Sequence, residues 1–358
     1  MITTTTAINL INPEPMMVTW DLGRRCNYDC TYCLASRHNN TSKHASLDSM
    51  KNTFNFIQEW TTKYNLHKKN QQHVNIDFTG GEPTVNPQFW NIVKYIKTYE
   101  GYNVGLTTNG TWPEKHIDRI AKYIDGITIS WHAEADPVLK QRVLDNILLV
   151  KELEHVWLQI NVMMHVDYFE EAKEIVEFCK IHNIKYNAVP LGDGNETQAG
   201  WFKDSDGVMR RTSHEYSADQ VDWFWKDIGI TEKAQRPAEG EEMGRKCCGG
   251  RCLEGLVEDN WQPVKLVENK FKGWHCMVDW FFLHIDQETG EVYHHQTCQA
   301  RKDGTIGAIG NLSNTQQMLD EIQLDTPMIC PNARCGCGMC IPKAKKVSEW
   351  ELIFKEHV

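Results

Sequence analysis

No stretch of this 358-residue chain stays apolar for the roughly 18 residues that a membrane-spanning helix needs. The opening Met1-Ile2-Thr3-Thr4-Thr5-Thr6-Ala7 lacks the basic start and apolar core of a signal peptide, so a cytoplasmic location is the expectation. Positive charge is also short. Against 48 Asp and Glu there are 38 Lys and Arg, a formal net charge of −10, which argues against a nucleic-acid-binding surface as the main business. Apart from the opening threonines there is no low-complexity tract. Nothing repeats beyond an alternation of strand-like and helix-like segments. Hydrophobic and charged residues, at 41% and 24%, are in ordinary proportion for a globular protein, and the length suffices for one large domain and a smaller one. Cysteine is what the chain has in excess: thirteen of them, without an export signal, read as metal ligands rather than disulfides.

Three of these thiols lie in Cys26-Asn27-Tyr28-Asp29-Cys30-Thr31-Tyr32-Cys33, just after the apolar run Met17–Leu22. Such a loop can place three thiolates around one face of a cubic iron–sulfur cluster. The next cysteine, Cys179, is far down the chain, so one iron keeps a position open for another ligand. A zinc knuckle short of one ligand, or three unrelated buried cysteines, are the competing readings. This C-x3-C-x2-C pattern, with Tyr32 before its third cysteine, resembles the signature of the radical S-adenosylmethionine (SAM) enzymes.

The order of segments agrees with that resemblance. A helical pattern over 47–64 carries Met50, Phe54, Ile57 and Trp60 on one face, and the strand 73–78 runs into Thr79-Gly80-Gly81-Glu82-Pro83. Helices around 87–99, 113–124, 137–153 and 168–182 then alternate with strands at 103–107, 126–130, 157–164 and 185–191. Six strands and five helices in this order predict an α/β fold, a partial (β/α)6 TIM-like barrel with a small C-terminal cysteine-rich domain. In barrels of this kind chemistry gathers at the carboxyl ends of the strands. The cysteine loop, the Gly-Gly-Glu-Pro turn, Thr108-Asn109-Gly110 and Ser130-Trp131-His132 all follow strands. The expected division is 1–230 for the barrel, 231–246 for a charged, breaker-rich linker, and 247–358 for the second domain. Residues 217–228 form one more expected helix.

What the resemblance implies can be carried over residue by residue. Cys26, Cys30 and Cys33 would hold a [4Fe-4S] cluster with SAM at its open iron. Gly80, Gly81, Glu82 and Pro83 match the segment that holds the amino group of SAM. Asn109 and Ser130 stand where family members contact its ribose and carboxylate, and Tyr32 would lie near the adenine. A strand-end Asn or Ser is also a common turn or cap residue. Trp131 and His132 are candidate substrate contacts at the barrel mouth. Cys179 shares an apolar helix face with Ile175 and Phe178 and reads as buried structure.

Nine further cysteines follow: Cys247, Cys248, Cys252, Cys276, Cys298, Cys330, Cys335, Cys337 and Cys340. Between Cys276 and Cys298 a hairpin turns at 286–290, and Ile309-Gly310-Asn311-Leu312 leads into a short helix, 315–322. This order looks like the auxiliary-cluster extensions of radical SAM enzymes, SPASM and its one-cluster form, twitch. The final spacing, C-x4-C-x-C-x2-C, departs from the wider family pattern. The expected ligand set for one auxiliary [4Fe-4S] cluster is Cys276, Cys298, Cys337 and Cys340, with Cys330 or Cys335 as substitutes. A second auxiliary cluster and a zinc site from the same thiols are the alternatives. Cys248, with Cys247 and Cys252, is a candidate ligand, hydrogen-atom donor or substrate-facing loop.

The resemblance implies a radical SAM oxidoreductase that oxidises or cross-links a peptide or protein side chain. The same chemistry on a small molecule, such as dehydrogenation of a sugar or alcohol, is the alternative. Peptide-modifying members often carry an N-terminal docking domain, and about sixteen residues precede the first strand here. A non-catalytic zinc- or cluster-binding protein is the reading from another class. The electron donor implied by the family is flavodoxin- or ferredoxin-like, with neither nucleic acid nor membrane as partner.

Overall fold

The structure, a computed structural model, describes residues 7–8, 15–33, 38–191, 202–203, 209–210, 216–227, 271–295, 298–332 and 341–358. The chain divides into two compact units, Met1–Trp20 with Asp48–Ile76 and Glu232–Val358, and Asp21–Leu47 with Asp77–Thr231.

The second unit is built on parallel strands. β4 (Tyr102–Thr108), β5 (Gly126–His132), β6 (Trp157–Met164) and β7 (Lys185–Pro190) pair in sequence, each parallel to the next. The carboxyl ends of β2 (Met16–Asp21) and β3 (Val74–Thr79) complete the order β2-β3-β4-β5-β6-β7. These six strands alternate with helices α2 (Phe89–Ile96), α3 (Ile117–Tyr123), α4 (Pro137–Lys151) and α5 (Phe169–Ile181), the partial barrel expected from the sequence. Pro137 opens α4 and the Asp136 carboxylate caps it, accepting the Val138 N–H at 2.8 Å.

Strand alternation divides the two faces. Ile127, Ile129 and Trp131 of β5 are buried on one side, and Ile129 and the α4 residue Val143 both close on Gly110. Thr128, Ser130 and His132 take the opposite face and are only partly buried. Strands covered by helices on both faces would read as continuous apolar runs; these alternate because one face is polar. On α5, Ala172, Ile175, Val176 and Cys179 are buried, with Cys179 fully so. Past β7, Tyr216 donates its hydroxyl proton to the Met164 carbonyl and accepts the Leu191 N–H at 3.0 Å, joining the ends of β6 and β7. The short strands β8 (Phe202–Lys203) and β9 (Met209–Arg210) form a small hairpin, and α6 spans Ala218–Asp227.

In the first unit, β1 (Ala7–Ile8), β15 (Lys343–Ala344), β10 (His275–Cys276) and β14 (Met328–Ile329) form a four-stranded sheet in that order. After α7 (Val278–Phe281), β11 (Phe282–Asp286), β12 (Glu291–Tyr293) and β13 (Gly310–Asn311) make an antiparallel meander. The helices α8 (Thr315–Asp320) and α9 (Val347–His357) follow. α1 (Leu47–Leu66) belongs to this unit, apart from its first residue. Its apolar stripe continues as an aromatic stack: Trp60 on Tyr64 at 5.4 Å, Tyr64 edge-on to Trp280 at 5.0 Å, and Trp280 to Phe354 at 5.5 Å. Gln287, in the hairpin turn, accepts hydrogen bonds from Trp20 Nε1 and Thr53 Oγ1, both at 2.9 Å. Among the described residues no helix is long and apolar enough to cross a membrane.

Candidate active site

The ladder between β2 and β3 continues past both strands. Leu22 N–H reaches the Thr79 carbonyl at 3.0 Å, Gly81 N–H the Gly23 carbonyl at 2.8 Å, and Glu82 N–H the Arg25 carbonyl at 2.9 Å. The turn 80–82 is thereby zipped to the segment that delivers Cys26. Gly80 adopts φ +122°, and a Cβ there would sit 2.4 Å from Asp21 Oδ1 and 2.5 Å from the Gly23 carbonyl oxygen. At Gly81 the added carbon would come within 2.3 Å of the Arg25 carbonyl oxygen. Glycine is required here by contact with the protein's own backbone.

Glu82 is 2% exposed and caps the 3-10 turn that Pro83 opens. Its Oε1 accepts Thr84 N–H at 3.0 Å, the Thr84 hydroxyl at 2.5 Å and the Thr108 hydroxyl at 2.8 Å; Oε2 accepts Asn109 N–H at 2.7 Å. Burial raises its pKa, and these hydrogen bonds pull the other way. One carboxylate therefore ties the end of β3 to the end of β4. From Asn109 the connection runs on into the cysteine loop. Asn109 Nδ2 donates to Asn27 Oδ1 at 2.7 Å, Asn27 Nδ2 to Thr111 Oγ1 at 2.8 Å, and Thr111 Oγ1 to Asn109 Oδ1 at 2.6 Å. Asn146 on α4, 2% exposed, holds this loop from behind, donating to the carbonyls of Gly110 at 2.8 Å and Trp112 at 2.9 Å.

On the other side of the cysteine loop, Glu134 accepts the Thr31 N–H at 2.8 Å and its hydroxyl at 2.6 Å. Tyr32 Oη lies 2.5 Å from His132 Nδ1, with the two rings nearly parallel, and Cys30 Sγ lies 3.6 Å from the same nitrogen. Burial pushes the His132 imidazole down to about 4 and the Tyr32 hydroxyl well up, so a neutral imidazole accepts from a protonated phenol. Burial also pushes the Cys26 thiol up to about 11 and the Cys30 thiol to about 12. A metal that binds them must displace their protons.

The structure thus brings Cys26, Cys30, Cys33, Tyr32, Gly80–Pro83, Asn109 and His132 to one rim. Ser130 lies on the same strand face as His132, two residues earlier. Trp131 does not join them: strand alternation turns it to the helix-covered side, where it is 2% exposed. Sequence reasoning passed over Asn27, Thr108, Thr111, Glu134 and Asn146, whose roles depend on partners distant in the chain. Three soft thiol donors, with no fourth beside them among the described residues, match the needs of a cluster with one open iron. Among the described residues no three His, Cys, Asp or Glu side chains converge as a single metal ion would demand. A cubane spreads its thiolates over separate iron corners.

In the other unit, Cys276, Cys298 and Cys330, each under 8% exposed, line one cavity with Phe271, Trp274, Met328 and Lys343. Cys298 and Cys330 are drawn together by Asn332, whose Nδ2 donates to the Cys298 carbonyl at 3.2 Å. Cys247, Cys248, Cys252, Cys335, Cys337 and Cys340, and the linker 231–246, lie outside the described residues.

A model of the radical SAM superfamily matches residues 20–196. Mycofactocin maturase MftC of Mycobacterium tuberculosis is 32% identical over 96 residues, 27% of this chain and 22% of that protein. GTP 3',8-cyclase of Mannheimia succiniciproducens is 36% identical over 102 residues, 27% of each chain. The enzyme of the same name from Lactiplantibacillus plantarum is 26% identical over 202 residues, 51% of this chain and 56% of that one. The chain thus matches about a quarter of the first two relatives' length. Among solved structures, native anSMEcpe with bound AdoMet superposes with a TM-score of 0.48 at 15% identity, over 96% of both chains.

Proposed function

Residues 20–196 form a radical SAM domain, and from that premise we propose that this enzyme cleaves SAM reductively at a cluster held by Cys26, Cys30 and Cys33, and so oxidises or cross-links a peptide or protein side chain. Bound there, a [4Fe-4S] cluster and SAM supply a 5′-deoxyadenosyl radical that takes a hydrogen atom from the substrate. The observation that carries the reading is the hydrogen-bonded line Glu82–Asn109–Asn27, which fixes the cysteine loop against the ends of β3 and β4. In this reading Gly80–Pro83 receives the amino group of SAM on backbone that Glu82 holds still. Tyr32 faces the adenine, and Asn109 and Ser130 face the ribose and carboxylate. Partly buried Tyr32 and His132 shield the thiol loop from water.

The cavity lined by Cys276, Cys298 and Cys330 supports one auxiliary [4Fe-4S] cluster, with Cys330 as its third ligand and a fourth from Cys335, Cys337 or Cys340. The electron donor in this reading is flavodoxin- or ferredoxin-like. The GTP 3',8-cyclases among the relatives favour a second reading, the same radical chemistry on a small molecule.

Anaerobic reconstitution tests the proposal. Reduced, iron-loaded protein is expected to convert SAM to methionine and 5′-deoxyadenosine, and the variant with Cys26, Cys30 and Cys33 all changed to Ala to lose that activity. Loaded protein that leaves the sulfonium intact would sink it. Transfer of deuterium into 5′-deoxyadenosine from a labelled peptide or a labelled small molecule separates the two readings.

A further inference from the structure

Lys343 of β15 stands directly opposite Cys276 of β10 in antiparallel register, so the two side chains rise from one face of the four-stranded sheet. Met328 of β14 is Cys276's partner on the other side, and Cys330, two residues further on, keeps to the same face. Lys343 lines the cavity that the thiols of Cys276, Cys298 and Cys330 also line. The lysine is 1% exposed, and its ammonium lies 4.4 Å from the centre of the Phe271 ring. Packing alone does not ask for a charge here, since Met fills nearly the same length without one. An ammonium this deep is costly to desolvate, and negative charge placed beside it lowers that cost.

We infer that Lys343 sets the reduction potential of the auxiliary cluster in this cavity; the inference rests on the auxiliary-cluster reading above. A cubane with its thiolate ligands is anionic, and reduction from [4Fe-4S]2+ to [4Fe-4S]+ adds one electron to that charge. An ammonium in the same cavity stabilises the reduced form more than the oxidised form and holds the potential up. Lys343 is a tuning residue that leaves iron ligation to the thiols.

The test uses the full-length chain with Cys26, Cys30 and Cys33 changed to Ala, so that remaining iron reports the auxiliary site. Anaerobically reconstituted protein is titrated with dithionite and followed by electron paramagnetic resonance. With Lys343 intact, about four irons per chain are expected. Lys343→Met is expected to lower the midpoint potential, and Lys343→Arg to keep it near the parent value. A Lys343→Met potential equal to the parent's overturns the inference while leaving the auxiliary cluster standing. If Lys343→Met loses the iron and Lys343→Arg retains it, the charge holds the anionic cluster in place rather than tuning it, and the inference is overturned. Loss in both marks a packing role and overturns it. Absence of iron with Lys343 intact overturns the auxiliary-cluster reading itself, and this inference with it.

Discussion

Asn27 and Asn109 meet side chain to side chain at 2.7 Å across 82 residues of sequence, the Asn109 amide donating to the Asn27 carbonyl. This bond links the cysteine loop to the end of β4. Replacing either residue with Ala is expected to weaken SAM binding to reconstituted protein roughly fivefold, the worth of one part-buried hydrogen bond at about 1 kcal/mol. The double variant should lose less than the sum, with a coupling of ~1 kcal/mol. Equilibrium dialysis gives the four affinities, and strict additivity would show that the two side chains act apart.

Glu82→Gln sets two effects against each other. It removes a buried charge, which favours the variant, but it also turns an amide N–H2 toward the Asn109 or Thr84 N–H, which cannot accept. An unsatisfied buried donor costs about 1–3 kcal/mol, so net destabilisation of the metal-free protein is expected in urea unfolding. The pH dependence is specific. Because burial holds the Glu82 pKa above 4.5, the folded chain keeps this proton more readily than the unfolded one. The stability so contributed is complete below 4.5 and fades as pH rises through the folded pKa. The variant lacks that slope. A more stable variant at neutral pH would show that the charge penalty outweighs the hydrogen bonds.

Gly81→Ala must displace backbone, since the new carbon meets the Arg25 carbonyl oxygen at 2.3 Å. A loss of about 2–4 kcal/mol and a fall in SAM cleavage are expected. Gly126→Ala is the control: its nearest neighbour, in the Trp157 ring, is 3.6 Å away. Equal melting temperatures for the two variants would refute the role given to the zipped turn.

His294, 4% exposed, is held down to about 4, chiefly by burial, with Asp279 raising and Lys302 lowering it. Its folded pKa lies below the ordinary 6.5, so stability falls as pH drops from 6.5 toward 4 and the unfolded chain takes up the proton first. His294→Phe keeps a ring against Trp60 and should flatten this acid limb by up to about 3 kcal/mol. Parallel limbs for the two proteins would mean that the ring titrates as it does in water.

The sequence carried the thiol loop openly because its three cysteines are neighbours in the chain. It also carried the strand–helix alternation, and strand ends fall within a residue or two of expectation. The Gly-Gly pair was visible, but its immediate cause was not, since Asp21, Gly23 and Arg25 approach it only after folding. The stripe Met50, Phe54, Ile57 and Trp60 announced a buried face without naming Trp280 or Phe354, which extend its stack from more than 200 residues away. Asn146 was invisible: an Asn amid apolar helix positions gives no hint that it holds two loop carbonyls. Cys330 ranked behind Cys337 and Cys340 on spacing. Pairing of β10 with β14 is what delivers it to the same cavity as Cys276.

The alternation along β5 has a consequence for how this protein can change over generations. Ile127, Ile129 and Trp131 answer to the helical shell, while Thr128, Ser130 and His132 between them do not. Odd and even positions of one strand thus answer to different physical constraints. Side chains of the polar set can be exchanged without disturbing the packing that the other set makes beneath the helices.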